Sequence, residues 1–292
     1  MLGLTLRQLR IFVAVADQES LAGAGRLLHL SQATVSEALR DLEVVIGQTL
    51  FDRTGRKLKL SVEGRALLPD ARQLLRDTEA VYRRHSGRRR LALGASVTAG
   101  NYVLPPLIAA MAREDPDLDI SVTIRNTEAV VRLMLERDVE AAIVEGRVAH
   151  PHLEVRPWRR DELAIVVPSD HALASGADVE ALAQASWVLR EQGSGTRESF
   201  DAAAAGWPQA PRIVLTVGGN ELLKAAVAEG IGVGCLSRAA VAAELARGEL
   251  VEVQTGAPSI ARTLSLVTRT GEPIGRPAAR FIALCEAASE PI

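Results

Sequence analysis

The strongest constraint on the fold of this chain is a run of helix-forming segments near the N-terminus that are joined by very short turns. Ser20 and Ser31 each stand where they can cap a helix, and Gly47 stands where it can end the second of these helices. An earlier helix with capping-box spacing is predicted over about residues 5–17. Three helices with such short connections predict a helix-turn-helix.

The third of these helices, SQATVSEALRDLEVVIG, has one apolar face and one polar face at 100° per residue. Gln can pair with adenine, Arg with guanine or phosphate, and Ser with either kind of group, so the polar face has the chemistry to read DNA. An isolated helix with this pattern would equally suit an ordinary solvated surface. The predicted DNA-contacting residues of this helix are Gln32, Ala33, Thr34, Ser36, Glu37 and Arg40.

The segment that follows, LFDRTGRKLKLSVEG, favours the DNA interpretation. It contains a basic turn between two short extended stretches, which is the composition of a wing that meets phosphates or the minor groove. Arg53 and Arg56 are its predicted DNA contacts. Residues 1–90 carry 16 Lys and Arg against 10 Asp and Glu, a net charge of +6, whereas the remaining residues carry 18 against 26, a net charge of −8. A basic segment attached to an acidic body is consistent with a polyanionic partner for the first segment alone.

The string LTLRQLRIFVAVADQESLAGAGRLLHLSQATVSEALRDLEVVIGQTLFDRTGRKLKLSVEGRALL resembles the winged helix-turn-helix of LysR-type transcriptional regulators, over about the first 65 residues. The resemblance implies that the partner is double-stranded promoter DNA. Ala33 stands where the family often has proline, and Glu37 where a basic or neutral polar residue is common. Because both lie on the predicted reading face, the operator sequence does not follow from the resemblance.

A long helix is predicted from residue 61 to 85, with Leu67, Leu74 and Val81 seven residues apart. Heptad spacing favours a seam between two helices, although an amphipathic helix would show much the same pattern. In the family the corresponding linker helix pairs subunits, which implies a homodimer and, further, a homotetramer. Residues 86–90 are interpreted as a hinge, and residues 1–60 as the DNA-binding domain.

From residue 91 onward, short β-like runs alternate with helical ones, which predicts an α/β unit with a mostly parallel sheet. The resemblance implies a periplasmic-binding-protein-like effector domain over residues 91–292, with lobe I at about 91–160 and 261–292 and lobe II at about 161–260. The predicted fold class is therefore multidomain: a winged helix-turn-helix with a linker helix, followed by a two-lobe α/β domain. Ligands of such sheets bind at the carboxyl ends of the strands.

Three strand-to-helix turns have the chemistry for a ligand cleft: GASVTAGN, GSGTR and GGNE. Each alone is more often a simple helix cap. Together, and at the positions where the family binds inducers, they favour a small anionic or carboxylate effector, because hydroxyls and helix N-termini both donate hydrogen bonds. The predicted effector-binding residues are Ser96, Thr98, Asn101, Glu145, Ser194, Thr196 and Asn220. Arg197 is either a further contact or an outward-pointing side chain. The GASVTAGNYVLP and REQGSGTR strings look most like the family branch that senses small anions of sulfur or carbon assimilation.

An enzyme would need a catalytic group, and the sequence motifs do not supply one. GSGTR lacks the lysine spacing of a phosphate loop, and Ser96 is not in G-x-S-x-G. His150 and His152 form only a weak candidate metal pair. Cys235 and Cys285 have no C-x-x-C partner and are expected to be small buried hydrophobes. We therefore expect no enzymatic activity, no cofactor and no metal.

No signal-peptide pattern or membrane-length apolar run is present, so a cytoplasmic location without a membrane partner is expected. Two other interpretations remain open at this point. One is a solute-binding or catalytic protein that happens to carry a helical N-terminus, and the other is a DNA architectural protein without an effector. The sequence leaves open the effector, the target genes, the sign of regulation and the choice between dimer and tetramer.

Overall fold

The structure, a computed structural model, describes residues 3–54, 57–85, 89–256 and 259–288. The chain separates into two compact units, Met1–Gly87 and Arg88–Ile292. Of the predicted hinge, residues 86–88 lie outside the described residues, and Arg90 is already the first residue of a strand.

The described residues of the first unit form four helices and a two-stranded antiparallel sheet. Its elements are α1 (Leu6–Gln18), α2 (Leu21–Leu28), α3 (Gln32–Ile46), β1 (Phe51–Thr54), β2 (Lys57–Leu60) and α4 (Val62–His85). Thr5, Ser20 and Ser31 each accept a backbone N–H in the first turn of α1, α2 and α3, as their spacing predicts. Gly47 ends α3 at φ 75°, a left-handed conformation that favours glycine. The predicted winged helix-turn-helix is confirmed.

The wing is joined to the helical core by packing at both of its ends. Phe51 at the start of β1 lies edge-on to Phe12 of α1, with ring centroids 5.5 Å apart. Ser61, which follows β2, is buried; its hydroxyl donates to the Thr49 carbonyl and accepts the Gly64 N–H. A Cβ at Gly64 would collide with the Leu50 carbonyl oxygen, so only glycine fits there. These contacts fix the wing and the start of α4 relative to α1 and to the segment that follows α3.

Over its described residues, the second unit is built on a nine-stranded sheet with the order β4-β3-β5-β11-β6-β9-β7-β8, and β10 pairs with β6. Its elements are β3 (Arg90–Ser96), a π-helical turn (Ala99–Val103), α5 (Leu104–Glu114), β4 (Asp119–Arg125), α6 (Thr127–Leu135), β5 (Ala141–Glu145), β6 (Leu153–Pro168), α7 (Val179–Gln184), β7 (Ser186–Arg190), α8 (Gly195–Ala204), β8 (Arg212–Val217), α9 (Asn220–Ala228), β9 (Val233–Ser237), α10 (Arg238–Arg247), β10 (Leu250–Glu252), β11 (Ile260–Arg269) and α11 (Arg276–Ala287).

Two long antiparallel strands, β6 and β11, run through both halves of this unit and divide it into two lobes. Lobe I contains β3, β4 and β5 with α5, α6 and α11. Lobe II contains β7, β8, β9 and β10 with α7 to α10. The pairs β3–β4, β3–β5, β7–β8 and β7–β9 are all parallel, so the helix-opening turns of each lobe follow the carboxyl ends of its strands. This confirms the predicted two-lobe α/β fold. The expectation of a mostly parallel sheet is wrong, because β6 and β11 pair antiparallel with each other and with β5, β9 and β10.

Candidate functional site

The outer face of α3 carries the predicted DNA-reading residues. Gln32, Ala33, Glu37 and Arg40 are exposed, while Thr34 and Ser36 are partly buried. Arg40 Nη2 donates to Ser36 Oγ over 3.3 Å. Val35, Leu39 and Leu42 point the other way into the core, so this face is directed at solvent. The backbone of Arg53 lies in β1, but its side chain and the whole of Arg56 lie outside the described residues.

The linker helix α4 presents apolar side chains to solvent. Leu74 and Val81, seven residues apart, are 47% and 50% exposed, and Tyr82 is 69% exposed. Leu67, by contrast, packs against the core of the first unit. Leu74 and Val81 therefore form an apolar surface at heptad spacing that nothing in the described first unit covers.

Six of the seven predicted effector-binding residues are buried where the two lobes meet. Ser96, Thr98, Glu145, Ser194, Thr196 and Asn220 each have at most 4% of their surface exposed. Ser96 and Glu145 are the last residues of β3 and β5, and the other four follow the carboxyl ends of β3, β7 and β8. Buried polar side chains require partners, and here most of the partners come from the opposite lobe or from the strands that run through both.

Arg262 of β11 is the centre of this cluster, although no motif in the sequence marks it as a site residue. Its Nη1 donates to Thr196 Oγ1 over 2.8 Å, and its Nη2 donates to Thr98 Oγ1 over 3.2 Å. Its Nε donates to Asp161 Oδ2 of β6 over 2.7 Å, and Ser237 Oγ donates to Asp161 Oδ1 over 2.8 Å. Only 3% of the Arg262 side chain is exposed. One guanidinium therefore joins lobe I, lobe II and both long strands.

Glu145, the last residue of β5, contributes a second charge to the cluster. Its Oε1 accepts the Thr98 N–H over 3.1 Å and lies 3.6 Å from Arg262 Nη2. Its Oε2 is buried and has no hydrogen-bond partner in the described parts of the chain. The carboxylate thus keeps one acceptor oxygen available inside the cluster.

Asn220, at the start of α9, is held by a second buried arginine. Arg190 Nη1 donates to Asn220 Oδ1 over 2.9 Å, and Asn220 Nδ2 lies 3.5 Å from Thr98 Oγ1. Glu191 pairs with Arg190; burial opposes the ionisation of Glu191, but the hydrogen bonds and positive charge of Arg190 lower its pKa overall. Asn220 is therefore fixed with its amide group directed at Thr98.

Ser194 stands at the N-cap of α8 without a side-chain capping bond. It lines a cavity of about 440 Å³. Thr127 and Arg147 of lobe I line the same cavity, as does Gln192 of lobe II. The cavity and the Arg262 cluster thus both lie at the N-terminal end of α8, where Thr196 follows Ser194 by two residues.

Ser96 and Asn101, which are also predicted to bind the effector, are not among the hydrogen-bond partners of Arg262 in the described structure. Ser96 Oγ donates to the Ile143 carbonyl over 3.4 Å. Asn101 lies in the π-helical turn, is exposed, and forms no hydrogen bond to the cluster among the described residues. Arg197 is paired with Asp201 over 2.8 Å and also donates to the Arg190 carbonyl, so it is occupied within lobe II.

The remaining candidate residues do not form a reactive centre. The His150 and His152 rings are 5.5 Å apart, and no group of three metal-binding side chains occurs among the described residues. Cys235 and Cys285 are buried and unbridged, as predicted, and burial raises the pKa of each thiol to about 12. Within the described ranges, no helix is long and apolar enough to cross a membrane.

Comparison with known proteins identifies relatives over the whole chain. Residues 6–65 match the bacterial regulatory helix-turn-helix protein, lysR family, and residues 84–290 match the LysR substrate binding domain. The uncharacterized HTH-type transcriptional regulator YeiE of Escherichia coli (strain K12) is 36% identical over 292 residues, 99% of each chain. The structure of full-length CbnR complexed with target DNA aligns with a TM-score of 0.73 and 20% identity over 98% of this chain and 100% of that one. The Synechocystis PCC6803 CcmR regulatory domain in complex with 2-PG aligns with a TM-score of 0.64 and 26% identity, over 70% of this chain and 98% of that one.

Proposed function

The chain belongs to the LysR family of transcriptional regulators, and from that premise we propose that its inter-lobe cleft binds a small anion that alters how paired DNA-binding heads act on promoter DNA. It is a DNA-binding regulator with a domain for small-molecule effectors, and not an enzyme. The observation that carries the anion proposal is the pair of hydrogen bonds from Arg262 to the hydroxyl oxygens of Thr98 and Thr196.

Those bonds determine what the two hydroxyls can offer a ligand. A threonine hydroxyl has one hydrogen to donate and two lone pairs to accept with. Arg262 uses a lone pair on each oxygen, and Asn220 approaches a second one on Thr98. Each O–H is then left to donate elsewhere. The cluster therefore presents donors, and the complementary ligand is an acceptor such as an oxyanion or a carboxylate.

The charges around Arg262 favour binding by neutral donors. Asp161 neutralises the guanidinium directly, and Glu145 lies 3.6 Å from it. The attraction for an anion then comes from oriented hydroxyls and from the N-terminus of α8, a helix of 10 residues that begins at Gly195. Because the site is buried, these dipoles act in a low effective dielectric constant and are stronger than they would be in water.

The available oxygen of Glu145 adds a selectivity element. Oε2 has no donor within the described structure, and a buried carboxylate oxygen without a donor is unfavourable. A ligand that carries a hydroxyl or an acidic proton would supply the missing donor, whereas a fully deprotonated anion would be repelled by Glu145. We therefore assign the site to anions that also donate a hydrogen bond.

The two-lobe construction links this site to DNA binding. Thr98 belongs to lobe I, whereas Thr196 and Asn220 belong to lobe II, so a ligand that touches them favours one arrangement of the lobes. We assign residues 1–60 to DNA binding, with α3 in the major groove, residues 61–85 to dimerisation and 91–292 to effector binding. Ligand binding changes promoter binding only through a difference in affinity between the two arrangements. We extend the dimer to a tetramer by analogy with the family alone.

The test uses the full chain. Thermal unfolding is measured with sodium sulfate, hydrogen phosphate and the hydroxylated carboxylate shikimate, each against sodium chloride of equal ionic strength. A ligand at 100 times its Kd adds about 2.7 kcal/mol to the free energy of unfolding. We expect stabilisation by an anion that carries a proton donor and its loss in the Thr98→Val, Thr196→Val double variant. Stabilisation that is equal in the double variant would place the ligand elsewhere.

A second measurement tests whether the protein binds promoter DNA with sequence preference. Retention on a fragment from beside the protein's own gene is compared with retention on a shuffled fragment at several salt concentrations. We expect a preference for the first fragment, with affinity that falls as salt rises because counterions are released from phosphates. Equal retention on both fragments would contradict specific promoter binding.

A further inference from the structure

A hydrogen bond joins the two lobes at the outer side of the Arg262 cluster. The Tyr102 hydroxyl, in the π-helical turn of lobe I, donates to Glu221 Oε1, in the first turn of α9 in lobe II, over 2.7 Å. The two residues are 119 positions apart in the sequence, so the bond exists only when the lobes are in this arrangement.

A lysine braces this bond from lobe II. Lys224 Nζ lies 3.0 Å from Glu221 Oε1 and 3.0 Å from Glu244 Oε1. The same ammonium lies 6.0 Å from the centroid of the Tyr102 ring, at the limit of a cation–π contact. Lys224 is only 11% exposed, so it is held between α9 and α10 and keeps the Glu221 carboxylate in place.

The position of the bond relative to the cleft is set by the adjacent residues. Glu221 directly follows Asn220, whose side chain approaches Thr98, and Tyr102 follows Thr98 by four residues. Asn220 is 3% exposed, whereas the Glu221 side chain is 73% exposed. The Tyr102–Glu221 bond therefore crosses the same gap as the Asn220–Thr98 contact, but between that contact and solvent.

We propose that Tyr102 and Glu221 form an inter-lobe latch, which must open before the cleft can exchange its contents and which thereby sets the rate of effector entry and exit. The latch proposal rests on the proposed function only for the chemical class of the ligand that the cleft holds. Its ionisation states suit this role at neutral pH: burial and the bond to Glu221 raise the pKa of Tyr102 to about 12, so the phenol keeps its proton. The bond from Tyr102 lowers the pKa of Glu221, with Lys224 acting in the same direction, so the acceptor is charged.

The latch is tested by hydrogen–deuterium exchange on the full chain without any ligand. Tyr102→Phe keeps the ring and removes only the bond, and Tyr82→Phe on α4 is a matched control in the other unit. Loss of a hydrogen bond to a charged group corresponds to about a tenfold rise in opening, so amides in residues 99–104 and 219–223 should exchange about ten times faster in Tyr102→Phe. The buried strands β5 and β9 should keep their exchange rates, and Tyr82→Phe should match the parent protein.

Glu221→Ala provides a second variant, at a side chain that is 73% exposed. It should accelerate the same two segments by a similar factor. Unchanged exchange in both variants would overturn the latch, as would faster exchange throughout β5 and β9, because the bond would then support the whole fold and not a local opening.

An experiment with a bound ligand distinguishes a failure of the latch proposal from a failure of the proposed function. With hydrogen phosphate as the probe, stopped-flow dissociation should be about tenfold faster in Tyr102→Phe than in the parent. If dissociation is unchanged while exchange is accelerated, the latch does not control the cleft. If phosphate does not bind at all, the anion proposal is tested by its own panel, and the exchange experiment still decides whether the lobes are latched.

Discussion

Arg262 Nη1 lies 2.8 Å from Thr196 Oγ1, across 66 residues of sequence and from a strand shared by both lobes to the first turn of a helix in one of them. The contact orients the Thr196 hydroxyl so that its hydrogen points away from the guanidinium. Arg262 also bonds to Thr98 of the other lobe. The Arg262 side chain therefore orients a hydroxyl from each lobe so that its hydrogen is available to a ligand in the cleft.

Two substitutions of Arg262 distinguish the effect of its positive charge from the effect of its planar, forked shape. Arg262→Lys keeps a cation beside Asp161 but loses the planar fork that reaches both threonines, so the protein should fold while its anion affinity falls by at least about tenfold. Arg262→Met should lower the free energy of unfolding by about 3–5 kcal/mol, because it leaves the Asp161 carboxylate buried without a positive charge beside it. Urea unfolding and calorimetric titration measure the two effects.

The matched control for this prediction is Arg160→Lys, at an arginine of the same unit whose side chain is 63% exposed and pairs with Glu162. It should change neither quantity measurably, since exposed pairs contribute little. Anion affinity that survives Arg262→Lys unchanged would show that the guanidinium does not orient the hydroxyls.

The hydroxyl of Thr196 is expected to be the functional group, as distinct from the bulk of the side chain. Thr196→Val is close to isosteric and should reduce anion affinity by about ten- to a hundredfold, because a buried donor to an anion is lost. Thr196→Ser keeps the hydroxyl and should restore most of the affinity. Thr216→Val, at an exposed position of β8, serves as the control. Equal affinities for the Val and Ser variants would argue for a packing role.

The DNA-binding head was predictable from sequence because its signals are local. The caps at Thr5, Ser20 and Ser31 act within three residues, and each forms as its spacing predicts. The positions of the buried hydroxyls were predictable for the same reason, since they lie in recognisable strand-to-helix turns; their role in effector binding stays a prediction. The role of Arg262 was not predictable from the sequence. Its segment, IARTLSLVTR, has the pattern of an ordinary strand, and the threonine partners of Arg262 lie 66 and 164 residues away. Its role arises only when two strands cross between lobes.

Asn101 is the converse case, a residue that the sequence predicts in the effector site but that lies outside the buried cluster. The sequence predicts that Asn101 binds effector because it stands in the same turn as Thr98, but the residue is exposed. Nothing in GASVTAGN distinguishes a π-helical turn from an α-helical one, and in the π-helical turn of this structure Asn101 is directed at solvent. Whether Asn101 contacts a bound effector stays a prediction.

The exposed apolar residues of α4 should mediate dimerisation. Leu74→Glu or Val81→Glu places a charge on the heptad surface and should shift the protein towards monomers, because a buried unpaired carboxylate is unfavourable. Sedimentation velocity at micromolar concentration measures the shift. Ile231→Glu, at a similarly exposed apolar residue of the second unit, should sediment like the parent. Dimers that persist in both α4 variants would assign the interface to another surface.

The reading face of α3 should separate specificity from general affinity. Gln32→Ala should relax base preference by about 1–3 kcal/mol at one operator position, whereas Arg40→Ala should weaken binding to operator and shuffled DNA alike if it contacts phosphate. Competition binding at two salt concentrations distinguishes the two effects. Arg113→Ala, at an exposed arginine of α5, is the control. Operator preference that is intact in Gln32→Ala would remove that residue from base reading.

The two cysteines should be inert in the folded protein. Burial raises the pKa of Cys235 and Cys285 to about 12, so almost no thiolate exists at pH 8, and alkylation needs an accessible thiolate. Iodoacetamide at pH 8 should therefore leave the native chain unmodified over an hour, while both thiols react in guanidinium chloride; mass spectrometry counts the adducts. Rapid labelling of either cysteine in the native state would reveal an opening of its lobe and would make a thiol-based signal worth testing beside the anion site.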